Sequence, residues 1–241
     1  VVAIIQARMG STRLPGKALI DIGGMSMLAR VVRRVQRATT LDQVVVATTT
    51  NAADAVIVEE CARLGVSVVR GSEDDVLDRY YQAAVTHQAQ TIARITSDCP
   101  LIDPDVIDTI VNTFHESRAD YASNVIERYY PRGLDIEVFR FAALERTWRE
   151  AVAPYQRAHV TPFFYQHPDF FTLRSVTGAV NHSAHRWTVD TPEDLAFVRE
   201  VYARMGNTDT FGWHDVLDLL EREPALVAIN AHVEQKELRQ G

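Results

Sequence analysis

Four short apolar runs, each followed by an amphipathic stretch, fill residues 1–117. The runs are VVAII (1–5), QVVVATT (43–49), VSVV (66–69) and TIARITS (91–97). They are β-branched and continuously apolar, as strands buried on both faces are. Between them, residues 27–37, 52–65, 74–87 and 104–117 carry helical periodicity. Leu28, Val31, Val32 and Val35 fall on one face of the first, Gly65 closes the second and Pro104 opens the fourth. This alternation predicts an α/β fold, a mostly parallel sheet with helices on both faces. After residue 120 the rhythm breaks. YASNV and LDIEVF read as shorter strands, 140–150 and 154–166 as helices, FTLRSV (171–176) and RWTV as strands. A helix is expected from Thr191 and another over 213–230, interrupted at Pro224, with the polar segment 232–241 fraying at the end. We read residues 1–241 as one domain, with 120–176 as an insertion.

With 32 acidic against 25 basic residues, the net charge is −7. That argues against a nucleic-acid partner, which needs a basic face. No apolar run approaches the roughly 20 residues that span a bilayer. No secretory signal is evident, so a cytoplasmic location is expected, with Cys61 and Cys99 as buried thiols rather than a disulfide. An acidic protein that binds an anionic ligand must concentrate positive charge locally or recruit a metal.

That local concentration follows the first strand: Gln6-Ala7-Arg8-Met9-Gly10-Ser11-Thr12-Arg13-Leu14-Pro15-Gly16-Lys17. A loop at the carboxyl end of the first strand is where open α/β sheets bind ligands. Its small residues let backbone N–H groups approach phosphate, and its three cations supply charge. It is neither a Walker A motif, since five residues separate Gly10 from Gly16 and Ala18 follows Lys17, nor a dinucleotide fingerprint.

Two carboxylates are candidates for the same crevice. Asp98 ends the fourth strand in Arg94-Ile-Thr-Ser-Asp98-Cys-Pro, and suits Mg²⁺, which takes one or two carboxylates plus phosphate oxygens and water. Asp190, in RWTVDTPED, is either a second ligand or a turn residue; Thr191 with Asp194 can cap the next helix. Asp103, before Pro104, reads as an N-cap. Spacing alone cannot bring Asp98 to Asp190, 92 residues on. His182 and His185 lack the Cys or carboxylate neighbours of a zinc site.

ARMGSTRLPGK, GSEDDVLDRY, RITSDCPLID, PRGLDIEVF and RWTVDTPEDL together resemble the cytidylyltransferases related to the spore-coat polysaccharide protein SpsF. That group is similar to the CMP-Kdo and CMP-acylneuraminate synthetases. The resemblance implies a Rossmann-like nucleotidyltransferase fold of glycosyltransferase-A type. It implies an Mg²⁺-dependent transfer of CMP from CTP to an acidic or amino sugar in surface polysaccharide synthesis, by a homodimer. Ala7, Arg8, Gly10, Ser11, Arg13, Lys17, Thr48 and Arg94 would hold the nucleotide, and Asp98 and Asp190 the metal. Asp75, Arg79, Arg132, Glu137, Arg157 and His159 would bind substrate. Arg13, Lys17 and Asp98 would carry the chemistry. No general base stands out; His159 reads better as an interface or capping residue. The second strand ends Ala47-Thr48-Thr49-Thr50-Asn51, where Kdo enzymes have an ATDD-like sequence, so the sugar stays open. A glycosyltransferase, a sugar-1-phosphate nucleotidyltransferase and a silent nucleotide-binding module are the alternatives.

Overall fold

The computed structural model describes residues 1–235, and the last six residues of the polar C-terminal segment lie outside them. The first strand, β1 (Val2–Gln6), alternates its side chains between two cores: Ala3 and Ile5 enter one, Val2 and Ile4 the other. After the basic loop and a 3₁₀ turn at Lys17–Leu19 come a two-residue hairpin, β2 (Asp21–Ile22) and β3 (Met25–Ser26), and α1 (Met27–Val35). Sequence periodicity gave no sign of the hairpin, because two residues per strand are too few to show alternation. The expected stripe of α1 (Leu28, Val31, Val32, Val35) is fully buried. So are Arg30 and Arg34, whose guanidinium groups bond the backbone carbonyls of Ile22, Gly23, Ile102 and Phe211.

The remaining elements follow in order: β4 (Gln43–Thr49), α2 (Ala55–Leu64), β5 (Ser67–Gly71), α3 (Val76–Thr86), β6 (Thr91–Thr96), α4 (Pro104–Ser117) and β7 (Tyr121–Ser123). Then come β8 (Glu137–Arg140), α5 (Phe141–Glu150), α6 (Pro154–His159), α7 (Pro162–Gln166), β9 (Leu173–Ser175), α8 (Pro192–Arg204) and α9 (Trp213–Arg222). A 3₁₀ segment, Pro224–Ile229, follows the expected break at Pro224. Asp103 caps α4 by accepting from the amides of Asp105 and Val106. Thr191 and Asp194 form a reciprocal capping box on α8. Gly65 ends α2 in the left-handed conformation, and both cysteines are free and buried.

The seven main strands form one sheet in the order β5-β4-β1-β6-β8-β7-β9. The first four are parallel; β8 runs antiparallel to both β6 and β7, and β9 is parallel to β7. Residues 120–176 therefore extend the same sheet. One core lies against α1, α2, α4, α8 and α9, the other against α3, α5 and α7. The chain moves outward from β1 to β4 and β5, then returns to place β6 on β1's other side. This reversal opens a crevice at the carboxyl ends of β1 and β6.

Two expectations are corrected. The helix expected over 154–166 is split, because Val160 sits at φ 71° and its neighbours close a tight turn, Thr161 N to His159 O at 2.8 Å. RWTV is not a strand. It is an extended segment, bridged once from Arg186 to Arg132 and held by Val189 N donating to Asp98 O at 2.8 Å.

Candidate active site

Lys17 is the centre of the crevice. The loop from β1 folds back on itself, with the amides of Ser11 and Gly16 both donating to Met9 O. Gly16 takes φ 71°, which lets the 3₁₀ turn start and turns Lys17 inward. Its Nζ donates to Asp98 Oδ2, Asp190 Oδ1 and Val189 O, each at 2.9 Å. Asp98 and Asp190 thus share one ammonium, although they stand 92 positions apart. Their backbones are joined too, through the Val189–Asp98 hydrogen bond and Thr188 Oγ1 donating to Asp98 O at 3.2 Å.

Burial alone would lower the Lys17 pKa, but the two carboxylates outweigh it and raise it. Burial alone would raise the Asp98 carboxyl, but Lys17 and a hydrogen bond from Thr96 hold it at about 2. Asp98 is therefore ionised at neutral pH, and Lys17 is charged.

Arg13 adds a second cation, 3.1 Å from Asp190 Oδ2. Arg186, which the sequence reading passed over, adds a third, donating to the same oxygen at 3.0 Å and to both oxygens of buried Asp194. Asp194 also accepts from the amides of Asp190 and Thr191, so one carboxylate sets the cap of α8 and the direction of the Asp190 chain. The only local sequence signal for Arg186 is its position four residues before Asp190.

The structure places the other predicted residues in separate groups. Ala7 is buried and donates its amide to Ala47 O. Arg8 lies half-exposed, 3.6 Å from Glu73, beside Gly10, where an added Cβ would stand 3.1 Å from Glu73 Oε1. The Ser11 hydroxyl accepts from Leu14 N at 3.4 Å. Thr48 is buried near the end of β4, its hydroxyl unmatched among the described residues. Arg94 pairs with Glu137 across β6 and β8, donates to Gln6 Oε1, and shares Glu137 with the Tyr121 hydroxyl at 2.6 Å. Asp75 caps α3 and takes a forked hydrogen bond from Arg157, which ties α6 to α3. His159 ends α6, and Arg132 is held through its backbone to His185 and Trp187. Arg79 is buried against Gly71 at the end of β5.

Asp54 was also missed. It is buried, accepts from the amide of Met9 at 2.7 Å and from the Thr49 hydroxyl, and so fixes the basic loop to the end of β4. In the sequence it looks like any acidic residue near a helix start.

A mostly parallel sheet with a basic, small-residue loop and two convergent carboxylates at its switch point defines a nucleotide-binding enzyme of Rossmann-like fold. A family model described as cytidylyltransferase matches residues 2–221. The chain is 30% identical over 236 residues to the spore coat polysaccharide biosynthesis protein SpsF of Bacillus subtilis, spanning 93% of this chain and 95% of that one. A solved cytidylyltransferase from Leptospira borgpetersenii superposes with a TM-score of 0.90 at 32% identity, over 98% of both chains. A CMP:2-keto-3-deoxy-manno-octonic acid synthetase solved with CTP shares the fold, with a TM-score of 0.67 at 21% identity over 85% of this chain and 98% of that one. The chain belongs to the cytidylyltransferase family. Among the described residues, no helix is long and apolar enough to cross a membrane.

Proposed function

We propose that this enzyme transfers CMP from CTP to a hydroxyl of an acidic sugar, releasing pyrophosphate, in the synthesis of a surface polysaccharide. The observation that carries the reading is the convergence of Lys17, Arg13, Asp98 and Asp190 at the switch point. The family membership supports the choice of CTP, and the synthetase of the same fold that was solved with CTP supports the sugar-acid class.

In the reaction, the acceptor hydroxyl oxygen bonds to the α-phosphorus, and the bond from that phosphorus to the β-phosphate bridging oxygen breaks. The hydroxyl proton passes to solvent. Such transfers depend on positioning and charge neutralisation more than on covalent help from the protein. The mobile ammonium of Lys17 and the fork of Arg13 supply positive charge where pyrophosphate gains negative charge. Arg186 and Asp194 hold Asp190 in line with Asp98.

The donor set fits Mg²⁺. Two carboxylates already meet on one cationic group, and no set of three or more His, Cys, Asp or Glu side chains among the described residues is arranged to hold a metal unaided. That suits an ion which draws its other ligands from phosphate and water. Asp98 and Asp190 would hold it, and when bound it would supply positive charge to the phosphates and acidify the attacking hydroxyl. In the free protein Lys17 neutralises both carboxylates, and a triphosphate gives that ammonium a competing partner.

Titration calorimetry with CTP, with and without Mg²⁺, tests the site. Wild-type protein is expected to bind CTP at least about tenfold more tightly with Mg²⁺, and Asp98→Asn/Asp190→Asn to lose that difference. A wild-type affinity for CTP that is indifferent to Mg²⁺ would remove the metal from the proposal.

A further inference from the structure

Behind the site stands a carboxylate that its own helix does not fully satisfy. Asp194 is completely buried, so any lone pair left unmatched forfeits its hydration without compensation. Its Oδ2 accepts from Arg186 Nη2 and from the amides of Asp190 and Thr191. Its Oδ1 accepts from Arg186 Nε at 2.8 Å and from Asn230 Nδ2 at 3.0 Å. Asn230, 4% exposed, comes from near the end of the described chain. It directly follows the 3₁₀ segment Pro224–Ile229, which packs on α8 and α9. The same Nδ2 donates to Arg186 O at 2.9 Å. An ionised carboxylate and a backbone carbonyl can only accept, so the amide must present its NH₂ to both.

We infer that Asn230 is a positioning residue for Asp190, so that the C-terminal segment takes part in setting the metal-side carboxylates. The inference rests on the metal-assisted CTP reading above. Asp190 is held at two points. Asp194 Oδ2 accepts from its amide, and Arg186 Nη2 donates to its Oδ2. Both holds pass through Asp194, because Arg186 is itself seated by its fork on that carboxylate. Asp190 Oδ1 is thereby left for the ammonium it shares with Asp98.

Apolar packing does not seat the segment on its own. A cavity of about 120 Å³ is lined by Arg186, Trp187, Phe197, Val227, Asn230 and Val233, so the C-terminal segment and the stretch leading to Asp190 do not close on each other there. A void leaves its lining without partner atoms on one side. Asn230 spans the edge of that gap with its two hydrogen bonds, and Gln235 adds one by accepting from Arg186 Nη1 at 2.6 Å. Bonds that share partners in a buried network strengthen one another. Without the Asn230 donors, Asp194 Oδ1 keeps Arg186 Nε alone and Arg186 O loses a partner. The carboxylate then recentres on the guanidinium and draws it away from Asp190.

Calorimetry of CTP binding with and without Mg²⁺ tests the role, on wild type, Asn230→Ala, Asn230→Asp, Asp190→Asn and the double variant Asp190→Asn/Asn230→Ala. The quantity read is the gain in CTP affinity that Mg²⁺ confers. Asn230→Ala is expected to reduce that gain by about tenfold, as loss of groups that orient metal ligands commonly does, with metal-free CTP affinity unchanged. Asn230→Asp keeps the shape but sets a second carboxylate against Asp194, and is expected to lose at least as much. In the Asp190→Asn background, where Asp98 still supplies part of the gain, Asn230→Ala is expected to change nothing further, because it acts through Asp190. Circular dichroism and a thermal melt are expected to show Asn230→Ala folded, melting a few degrees below wild type. A gain within about twofold of wild type in Asn230→Ala, or an Asn230→Ala protein that does not fold, would leave Asn230 as an anchor of its segment and overturn the inference. Equal losses of CTP affinity with and without Mg²⁺, or the same loss of gain in the Asp190→Asn background, would overturn it too. A wild-type protein whose CTP affinity is indifferent to Mg²⁺ fails at an earlier point: it removes the metal from the site, and this inference with it.

Discussion

Asp98→Asn is expected to lower the turnover of CTP by about 10²–10³-fold while leaving the fold intact. The substitution keeps the shape of the side chain and removes its charge. Lys17 retains Asp190 Oδ1 and Val189 O, so the ammonium is not left stranded in a half-buried site. Two catalytic consequences follow. One of the two carboxylates that would hold Mg²⁺ becomes a neutral, weaker donor. Lys17 is also drawn toward Asp190 alone, away from the midpoint between the two acids. Steady-state kinetics with circular dichroism and a thermal melt separate chemistry from folding. Activity within about threefold of wild type would mean that Asp98 serves structure only.

The largest expected effect on stability comes from a residue outside the charged cluster. Gly133→Ala is expected to cost about 3 kcal/mol. Gly133 has φ 109°, a conformation that side-chain-bearing residues rarely adopt, and an added Cβ would stand 2.6 Å from Trp187 C, 2.7 Å from Thr188 N and 2.9 Å from Trp187 O. All three are main-chain atoms, so no rotamer change relieves the overlap. The segment they belong to carries Val189, bonded to Asp98, and then Asp190. The strain therefore reaches the site, and activity is expected to fall along with stability. Urea unfolding measures the first effect. A change below about 0.5 kcal/mol would show that the 187–190 segment yields freely, and would weaken the case that its rigidity places Asp190.

Both predictions depend on long-range geometry, and that is where sequence reading ran out. The parallel half of the sheet was legible because its strands are buried on both faces and its helices carry clear stripes. Residues 43–49 and 104–117 were bounded as they are found in β4 and α4. The basic loop was legible because three cations among small residues after a first strand have few other uses. The convergence of Asp98 and Asp190 was not, because it depends on Val189 bonding to the backbone of Asp98 across 90 intervening residues. Nor was the antiparallel run of β8, since an apolar strand reads the same in either direction. RWTV looked like a strand because its residues have strand propensity; in the fold a single bridge to Arg132 is all the pairing it makes. Val160 gave no warning of a left-handed turn, since a β-branched residue is among the least expected there. Asp54 and Arg186 show the common limit. Each is an ordinary charged residue in sequence, and burial and partners alone mark it as part of the site.

Pyrophosphate release tests the central claim most directly, measured with each of the four nucleoside triphosphates, Mg²⁺ and a panel of sugar acids, neutral sugars and sugar phosphates. The account predicts release with CTP and an acidic sugar, stoichiometric with a CMP-sugar product and lost in Asp98→Asn. Release that requires a sugar phosphate, or that persists undiminished in Asp98→Asn, would contradict it.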